Sequence, residues 1–126
     1  MNRKILIVDD HDDFRETVKI FLKKQDLLLK IYEAPTAEVG LVIALRERPS
    51  IILLDIRLPG MHGIEAAAKI KQHLPDTHII LLTMLETDSL KEALKTEDVT
   101  AYIGKSELYD SLVPILEKIL FAGEKK

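Results

Sequence analysis

The sequence predicts an α/β domain with a five-stranded parallel sheet and five helices, because strand and helix patterns alternate five times along its 126 residues. The run at residues 51–54 has four apolar side chains and no polar one, which is typical of a strand buried on both faces. Asp55 follows this run directly, and Pro59 and Gly60 then mark a turn. A buried strand therefore carries Asp55 to an edge of the sheet where a loop begins.

Shorter apolar runs predict the other four strands. The first, fourth and fifth strands are placed at residues 5–8, 78–82 and 101–103. The second strand is placed at residues 27–32, although this run is also compatible with an extension of the preceding helix. Polar groups lie at the ends of three of these strands: Asp9 and Asp10 after the first, Thr83 after the fourth and Lys105 after the fifth.

The first three helices are predicted from apolar stripes of helical spacing. Asp12 or Asp13 is expected to cap the first helix, and Pro35 and Thr36 open the second. The second helix should end near Arg48, because the residue before a proline disfavours the helical conformation. The residues expected to face the core are Phe14, Val18, Phe21 and Leu22 in the first helix, Ala37, Leu41, Ala44 and Leu45 in the second, and Ile64, Ala67, Ile70 and Leu74 in the third.

The last two helices are less regular in sequence. A fourth helix at residues 86–96 keeps few apolar positions and should be the most weakly anchored. Ser106 is expected to cap the fifth helix, which contains Pro114. This proline either kinks a helix that begins at Ser106 or lies in a helix that begins later. Residues 1–122 are predicted to form one domain, and residues 123–126 a tail or the start of a linker.

Composition narrows the classes of function. The 47% hydrophobic and 31% charged content is typical of a soluble globular protein. No apolar run approaches the roughly 20 residues that span a bilayer, and no secretory signal is recognisable, so we expect a cytoplasmic protein without membrane contact. The absence of cysteine excludes disulfides and thiol chemistry. The formal charge of −3 provides no basic surface for nucleic acid.

Parallel topology brings the polar strand ends together. Right-handed crossovers and carboxylates on the first and third strands suggest the flavodoxin-like order 2-1-3-4-5, which reverses between those two strands. Ligands of such sheets bind at the reversal point, beyond the carboxyl ends of the strands. We therefore expect five polar residues to lie together at the carboxyl-end edge of the sheet, which we call the rim: Asp9, Asp10, Asp55, Thr83 and Lys105.

Carboxylates grouped in this way favour cation and phosphoryl chemistry. Two carboxylates about 5 Å apart repel by roughly 3 kcal/mol at an effective dielectric constant near 20, so the group requires a cation. We expect oxygen ligands with no histidine or cysteine nearby, and such a set favours a hard cation such as Mg²⁺. Asp55 would then attack a phosphoryl group that Lys105 neutralises, and Thr83 would donate its hydroxyl. Each residue alone has a commoner role as a turn, cap or surface residue, and only their combination favours function.

These segments resemble the receiver domain of bacterial two-component response regulators over nearly the whole chain. The matching segments are residues 5–11, 53–60, 63–66, 81–83 and 102–105. The similarity is greatest to receivers that precede a helix-turn-helix domain in transcription regulators of the NarL/LuxR type. DNA contact would then require an output domain outside this chain.

The resemblance implies a role for each residue of the rim. Asp55 would be the phosphoacceptor for a histidine kinase or a phosphotransfer protein. Asp10, Asp55 and the backbone carbonyl of Arg57 would hold Mg²⁺, with Asp9 acting through water. Lys105 would pair with the phosphoryl group. The chain would catalyse only its own phosphorylation and dephosphorylation and would not otherwise be an enzyme.

The resemblance also implies a conformational switch. Thr83 would move toward the phosphoryl group, and Tyr102 would swing inward and remodel the face formed by the fourth helix, fifth strand and fifth helix. A homodimer on phosphorylation is expected on the same ground. Met84 stands where the family usually has a small residue, and it is expected to crowd the approach to Asp55.

The sequence gives less support to three other interpretations. A phosphatase of the haloacid dehalogenase type also uses an aspartyl nucleophile, but its second aspartate would occupy the position of Arg57. A flavodoxin-like redox carrier needs a Ser/Thr/Gly-rich phosphate loop after the first strand, which this chain lacks. A degenerate receiver acting only as a scaffold is disfavoured because every required group is present.

Overall fold

The computed structural model describes residues 2–84 and 98–122. Five parallel strands form its main sheet, in the order β2-β1-β3-β4-β5. This arrangement confirms the predicted flavodoxin-like order, and its reversal point lies between β1 and β3. The strands are β1 (Lys4–Val8), β2 (Lys30–Ala34), β3 (Ile51–Asp55), β4 (His78–Thr83) and β5 (Ala101–Gly104).

Four α-helices cover the two faces of the sheet in the part of the chain that the structure describes. They are α1 (Asp12–Lys23), α2 (Ala37–Glu47), α3 (Gly63–His73) and α4 (Leu108–Leu120). The predicted fifth helix is thus α4, whereas the predicted fourth helix, residues 86–96, lies outside the described residues. The predicted tail at residues 123–126 also lies outside them, so the domain boundary stays a prediction. No helix among the described residues is long and apolar enough to cross a membrane.

The alternation of side chains along the central strands creates two cores. In β3, Ile51 and Leu53 face α1 and α4, whereas Ile52 and Leu54 face α2 and α3. All four side chains are fully buried. Burial on both faces explains why the predicted bounds of this strand agree with the structure.

The second strand begins later than predicted. Leu28 adopts a positive φ of 55° and is 82% exposed, so the apolar run at residues 27–32 is interrupted by a turn. Leu27 instead packs into the core beside α1 and α4. The register of β2 on β1 then pairs Lys30 with Lys4 and Ala34 with Val8. The placement at residues 27–32 was wrong because the run is divided between a turn and an edge strand.

Two predicted helix caps were also wrong. His11, rather than Asp12 or Asp13, precedes α1, and it makes no side-chain cap. Both aspartates lie in the first turn, where their charge is favourable to the helix dipole. Ser106 lies in a one-turn 3₁₀ helix at Lys105–Glu107, and α4 begins only at Leu108.

Both ends of helix α2 agree with the prediction, but one residue that was predicted to face the core does not. Thr36 Oγ1 accepts a hydrogen bond from the Val39 N–H at 3.1 Å, and Arg48 ends the helix in the left-handed region. Leu45, which was expected to face the core, is exposed. The helical period alone placed Leu45 with the inward residues, and α2 has apolar side chains around most of its circumference.

Pro114 is predicted to weaken α4. The helix begins later than Ser106, yet Pro114 still lies in its interior and cannot donate an N–H to the carbonyl of Asp110. Because Pro114 is exposed, Pro114→Ala should restore this bond without disturbing the core and raise the unfolding free energy by about 1–2 kcal/mol. Urea denaturation measures the change. Glu117→Ala, also exposed on α4, is the control and should change stability by less than about 0.5 kcal/mol; equal effects of the two variants would contradict the prediction.

Candidate functional site

The ends of β1 and β3 place two carboxylates beside one ammonium group. Asp9 is 0% exposed and Asp55 is 3% exposed. Lys105, which follows β5, extends its Nζ to 2.7 Å from Asp9 Oδ2 and 3.2 Å from Asp55 Oδ2. The Lys105 side chain is itself only 8% exposed, and its Nζ lies 4.4 Å from the ring centroid of Phe14. The structure thus joins three strand ends through one buried cation.

The loops after β1 and β3 orient the two buried carboxylates. Asp9 Oδ1 accepts a hydrogen bond from the His11 N–H at 2.8 Å, and Asp55 Oδ1 accepts one from the Arg57 N–H at 3.1 Å. Asp9 Oδ2 is paired with the Lys105 ammonium and has no other polar partner among the described residues. Each carboxylate therefore keeps one oxygen fixed by its own loop and turns the other toward Lys105.

Asp10 and His11 complete the cluster on its outer side. His11 Nδ1 lies 3.0 Å from Asp9 Oδ1 and 3.2 Å from Asp10 Oδ1. One ligand atom from each of Asp9, Asp10, His11 and Asp55 lies within 4.8 Å of the others. The expectation that no histidine lies near the site was wrong, although the position of His11 directly after the two aspartates was a visible signal.

Burial destabilises the charged form of Asp55. Removal from water raises the pKa of the Asp55 carboxyl above its ordinary value, and the negative charge of Asp9 adds to the increase. The hydrogen bond from the Arg57 N–H and the ammonium of Lys105 act in the opposite direction without cancelling it. The ionised site is therefore electrostatically unfavourable in the absence of a further cation.

The donor set fits a hard divalent cation. Three carboxylates face one ammonium, which leaves excess negative charge at the site. Carboxylate and carbonyl oxygens are the ligands that hard cations prefer. Asp10 is partly exposed and is thus accessible from solvent. The cluster could hold a metal ion at the reversal point of the sheet.

The remaining predicted residues lie on the neighbouring strands. Thr83 is buried at the end of β4, one position beyond the residue that pairs with Asp55. Tyr102 is half-buried on β5 and packs against the core beside α2 and α3. Arg57 is exposed in a short antiparallel hairpin, Arg57–Leu58 with Met61–His62, that sequence analysis described only as a loop. Met84 is largely exposed, and its expected crowding of Asp55 stays a prediction.

Gly63 lies in a segment that carried the family resemblance, but its packing role was not predicted: it allows α3 to lie against the Asp55 loop. A Cβ atom on Gly63 would lie 2.6 Å from Cα of Ile56 and 2.7 Å from the carbonyl oxygen of Asp55. The Gly63 N–H also donates to the Ile56 carbonyl oxygen at 2.7 Å. Gly60, with φ of 77° after Pro59, turns the chain back between these segments. Gly63 therefore fixes the backbone that carries Asp55.

The fold and the site together define a class of protein. An open parallel sheet of order 2-1-3-4-5, with an acidic pocket at its reversal point, is a CheY-like, flavodoxin-like α/β domain. The family model of the response regulator receiver domain matches residues 5–117. The chain therefore belongs to the response regulator receiver domain family of two-component systems.

Individual relatives agree with this assignment. Response regulator GacA of Pseudomonas syringae pv. syringae is 30% identical over 122 residues, which cover 97% of this chain and 56% of GacA. The crystal structure of a LuxR-family two-component response regulator from Aurantimonas has a TM-score of 0.86 at 28% identity, covering 98% of this chain and 87% of that one. A CheY-like receiver domain protein from Methanospirillum hungatei has a TM-score of 0.80 at 26% identity, and the match covers all of both chains. This chain spans little more than half the length of GacA.

Neutralising Asp55 is predicted to stabilise the fold. The folded-state pKa of Asp55 lies above its ordinary value of 3.8, so the folded protein loses stability as the pH rises through that folded-state pKa. Asp55→Asn should therefore raise the unfolding free energy at pH 7 in the absence of divalent cations. The gain should shrink as the pH is lowered through the folded-state pKa and disappear well below 3.8, where the wild-type carboxyl is protonated in both states.

Urea denaturation in a chelating buffer measures this change. Asp13→Asn is the control, because Asp13 is exposed in the first turn of α1 and its charge is favourable there. A wild-type protein as stable as Asp55→Asn at neutral pH would show that the buried carboxylates are not destabilising.

Gly63→Ala is predicted to displace the site residues, although Gly63 itself is not one of them. The new Cβ meets backbone atoms that cannot rotate away, so the start of α3 or the Asp55 loop must move. Loss of about 1–3 kcal/mol in unfolding free energy is expected, with weaker binding of Mg²⁺ in a calorimetric titration. Gly40→Ala is the comparison, because its new Cβ meets only side chains, and it should leave Mg²⁺ binding unchanged. Equal Mg²⁺ affinity in both variants would count against a positioning role for Gly63.

Proposed function

We propose that this chain is a phosphorylation-activated signalling switch that accepts a phosphoryl group on Asp55 in the presence of Mg²⁺. One observation carries the proposal: the Lys105 ammonium lies against both Asp55 and Asp9 in a buried rim where the carboxylates outnumber it. Such a rim offers a nucleophilic carboxylate, a place for a divalent cation and a fixed positive charge, which are the groups that phosphoryl transfer uses.

The phosphoryl donor in this proposal is the phosphohistidine of a histidine kinase or phosphotransfer protein. Membership of the receiver domain family supports this class of partner. A carboxylate oxygen of Asp55 attacks phosphorus in line, a P–O bond forms, and the P–N bond of the phosphohistidine breaks, leaving the neutral imidazole after it takes up a proton. The product is an acyl phosphate on Asp55. The chain catalyses only its own phosphorylation and dephosphorylation, and in this sense it is not an enzyme.

The residues of the rim divide the remaining work. Asp10, Asp55 and the Arg57 carbonyl would hold Mg²⁺, with Asp9 acting through water. When bound, Mg²⁺ would neutralise negative charge on the phosphoryl oxygens. Lys105 would exchange its contact with Asp55 for one with the phosphoryl group, which carries more negative charge than the carboxylate it replaces.

Movements of Thr83 and Tyr102 would transmit the effect of phosphorylation to the protein surface. Phosphorylation adds about −1.5 to −2 charges and three acceptor oxygens, so the Thr83 hydroxyl would gain a partner at this edge of the sheet. Tyr102, half-buried on the adjacent strand, would turn inward and change the face beside β5. Homodimerisation on phosphorylation, a cytoplasmic location and DNA contact through a separate output domain belong to the same proposal, and family membership supports them.

A phosphatase function has less support. The position at which a haloacid dehalogenase-type enzyme places its general acid holds Arg57, whose backbone N–H is bonded to Asp55. Only steady release of phosphate from a phosphomonoester would favour that interpretation.

Labelling with radioactive acetyl phosphate tests the proposal. The wild-type protein should incorporate label in Mg²⁺ and lose it in a chelator, because the carboxylates need a cation to approach a phosphoryl group. Asp55→Asn should reduce labelling to background, whereas Asp13→Asn, which changes an exposed aspartate in the first turn of α1, should label like the wild type. Label retained at the wild-type level in Asp55→Asn would overturn the assignment of Asp55.

A further inference from the structure

The outer surface of α2 is unusually apolar for a helix face in contact with solvent. Val39, Val42 and Leu45 are 41%, 62% and 42% exposed, and their spacing of three residues places them in one stripe. The inner side of the same helix packs Gly40 and Ala44 against the sheet. A helix on the surface of a monomer normally presents polar residues outward, so this stripe is a candidate contact surface.

Two exposed residues of opposite charge flank the stripe. Glu38 forms no ion pair with any other described residue. Arg46 is 61% exposed, and among the described residues it pairs only with its neighbour Glu47, at 3.0 Å. Glu38 is therefore available for a partner at one end of the stripe, and at the other end Arg46 would exchange or share its exposed contact with Glu47.

The pattern is symmetric about Val42. Val39 and Leu45 lie three residues to either side of it, and Glu38 and Arg46 lie four residues to either side with opposite charges. If two copies of α2 pack antiparallel about a twofold axis, Val42 of each copy lies at the centre. Glu38 of one copy then lies at the height of Arg46 of the other, and both ion pairs form at once.

We propose that the α2 face, formed by Glu38, Val39, Val42, Leu45 and Arg46, binds the same face of a second copy of this chain. The contact is small compared with the roughly 800 Å² per partner of a standard interface, so the dimer is weak and concentration-dependent. Apolar burial provides the affinity, and the ion pairs set the antiparallel orientation. None of these residues belongs to the acidic cluster, so the contact requires neither Asp55 nor phosphorylation.

Sedimentation velocity tests the surface. The wild-type protein should shift toward a dimer between about 20 µM and about 1 mM, and Asp55→Asn should do the same. Val42→Asp should weaken association by roughly tenfold or more, because it places two like charges at the symmetry axis. Ile20→Asp, a matched change at an exposed apolar residue of α1, should associate like the wild type. A wild-type protein that stays monomeric at the higher concentration, or Val42→Asp that associates normally, overturns the proposal.

Charge reversal tests the orientation. Glu38→Arg alone and Arg46→Glu alone should each remain monomeric, since every cross-axis pair becomes a like-charge pair. An equimolar mixture of the two variants should form a heterodimer, because each changed residue then faces an opposite charge, and added salt should weaken it. Self-association of either single variant at the wild-type level would show that another surface, or another arrangement of α2, forms the dimer.

Discussion

The site depends on holding three carboxylates near one another against their mutual repulsion. The ion pairs of Lys105 with Asp9 and Asp55 oppose that repulsion among the described residues, and both carboxylates are buried where solvent screens little. The strand order makes the arrangement possible. β1 and β3 are neighbours, so their carboxylates lie side by side, while Lys105 reaches the pair from β5, two strands beyond β3. The aromatic ring of Phe14 beneath the ammonium helps to hold that long side chain in place.

The rest of the domain must compensate for the unfavourable free energy of burying these like charges. Two apolar cores, one on each face of the sheet, contain the fully buried side chains of β1, β3 and β4. Their packing keeps the strand ends in register, so the polar groups are positioned by rigid elements rather than by their own attraction. Gly63 extends the same constraint to the loop, because α3 begins in direct contact with the backbone of Asp55 and Ile56. A protein that retains buried like charges at such a cost does so at sites of function more often than in its core.

Sequence patterns predicted the central sheet and the meeting of the strand ends for one physical reason. Strands buried on both faces are recognisable as apolar runs, and parallel strands place their carboxyl ends at one edge. The sequence-based predictions were wrong where tertiary contacts determine the ends of a strand or helix. β2 is an edge strand with half-exposed residues, so its apolar run did not mark its ends. The residue that precedes α1 is His11, one position before the predicted caps, and its N–H is bonded to Asp9 just after β1. The hairpin after Asp55 and the close approach at Gly63 depend on how the chain folds back on itself, which no local pattern encodes. His11 is different, because it follows the two aspartates directly in the sequence and could have been included in the site.

A crystal structure with Mg²⁺ and beryllofluoride tests the central claim most directly, because it reports the position of every group in the rim at once. The account predicts a beryllofluoride group on Asp55, a metal ion held by Asp10, Asp55 and the Arg57 carbonyl, and Lys105 Nζ moved from its 3.2 Å contact with Asp55 Oδ2 to a fluorine atom. A metal ion bound elsewhere, or an unmodified Asp55 still paired with Lys105 at saturating beryllofluoride, would contradict it.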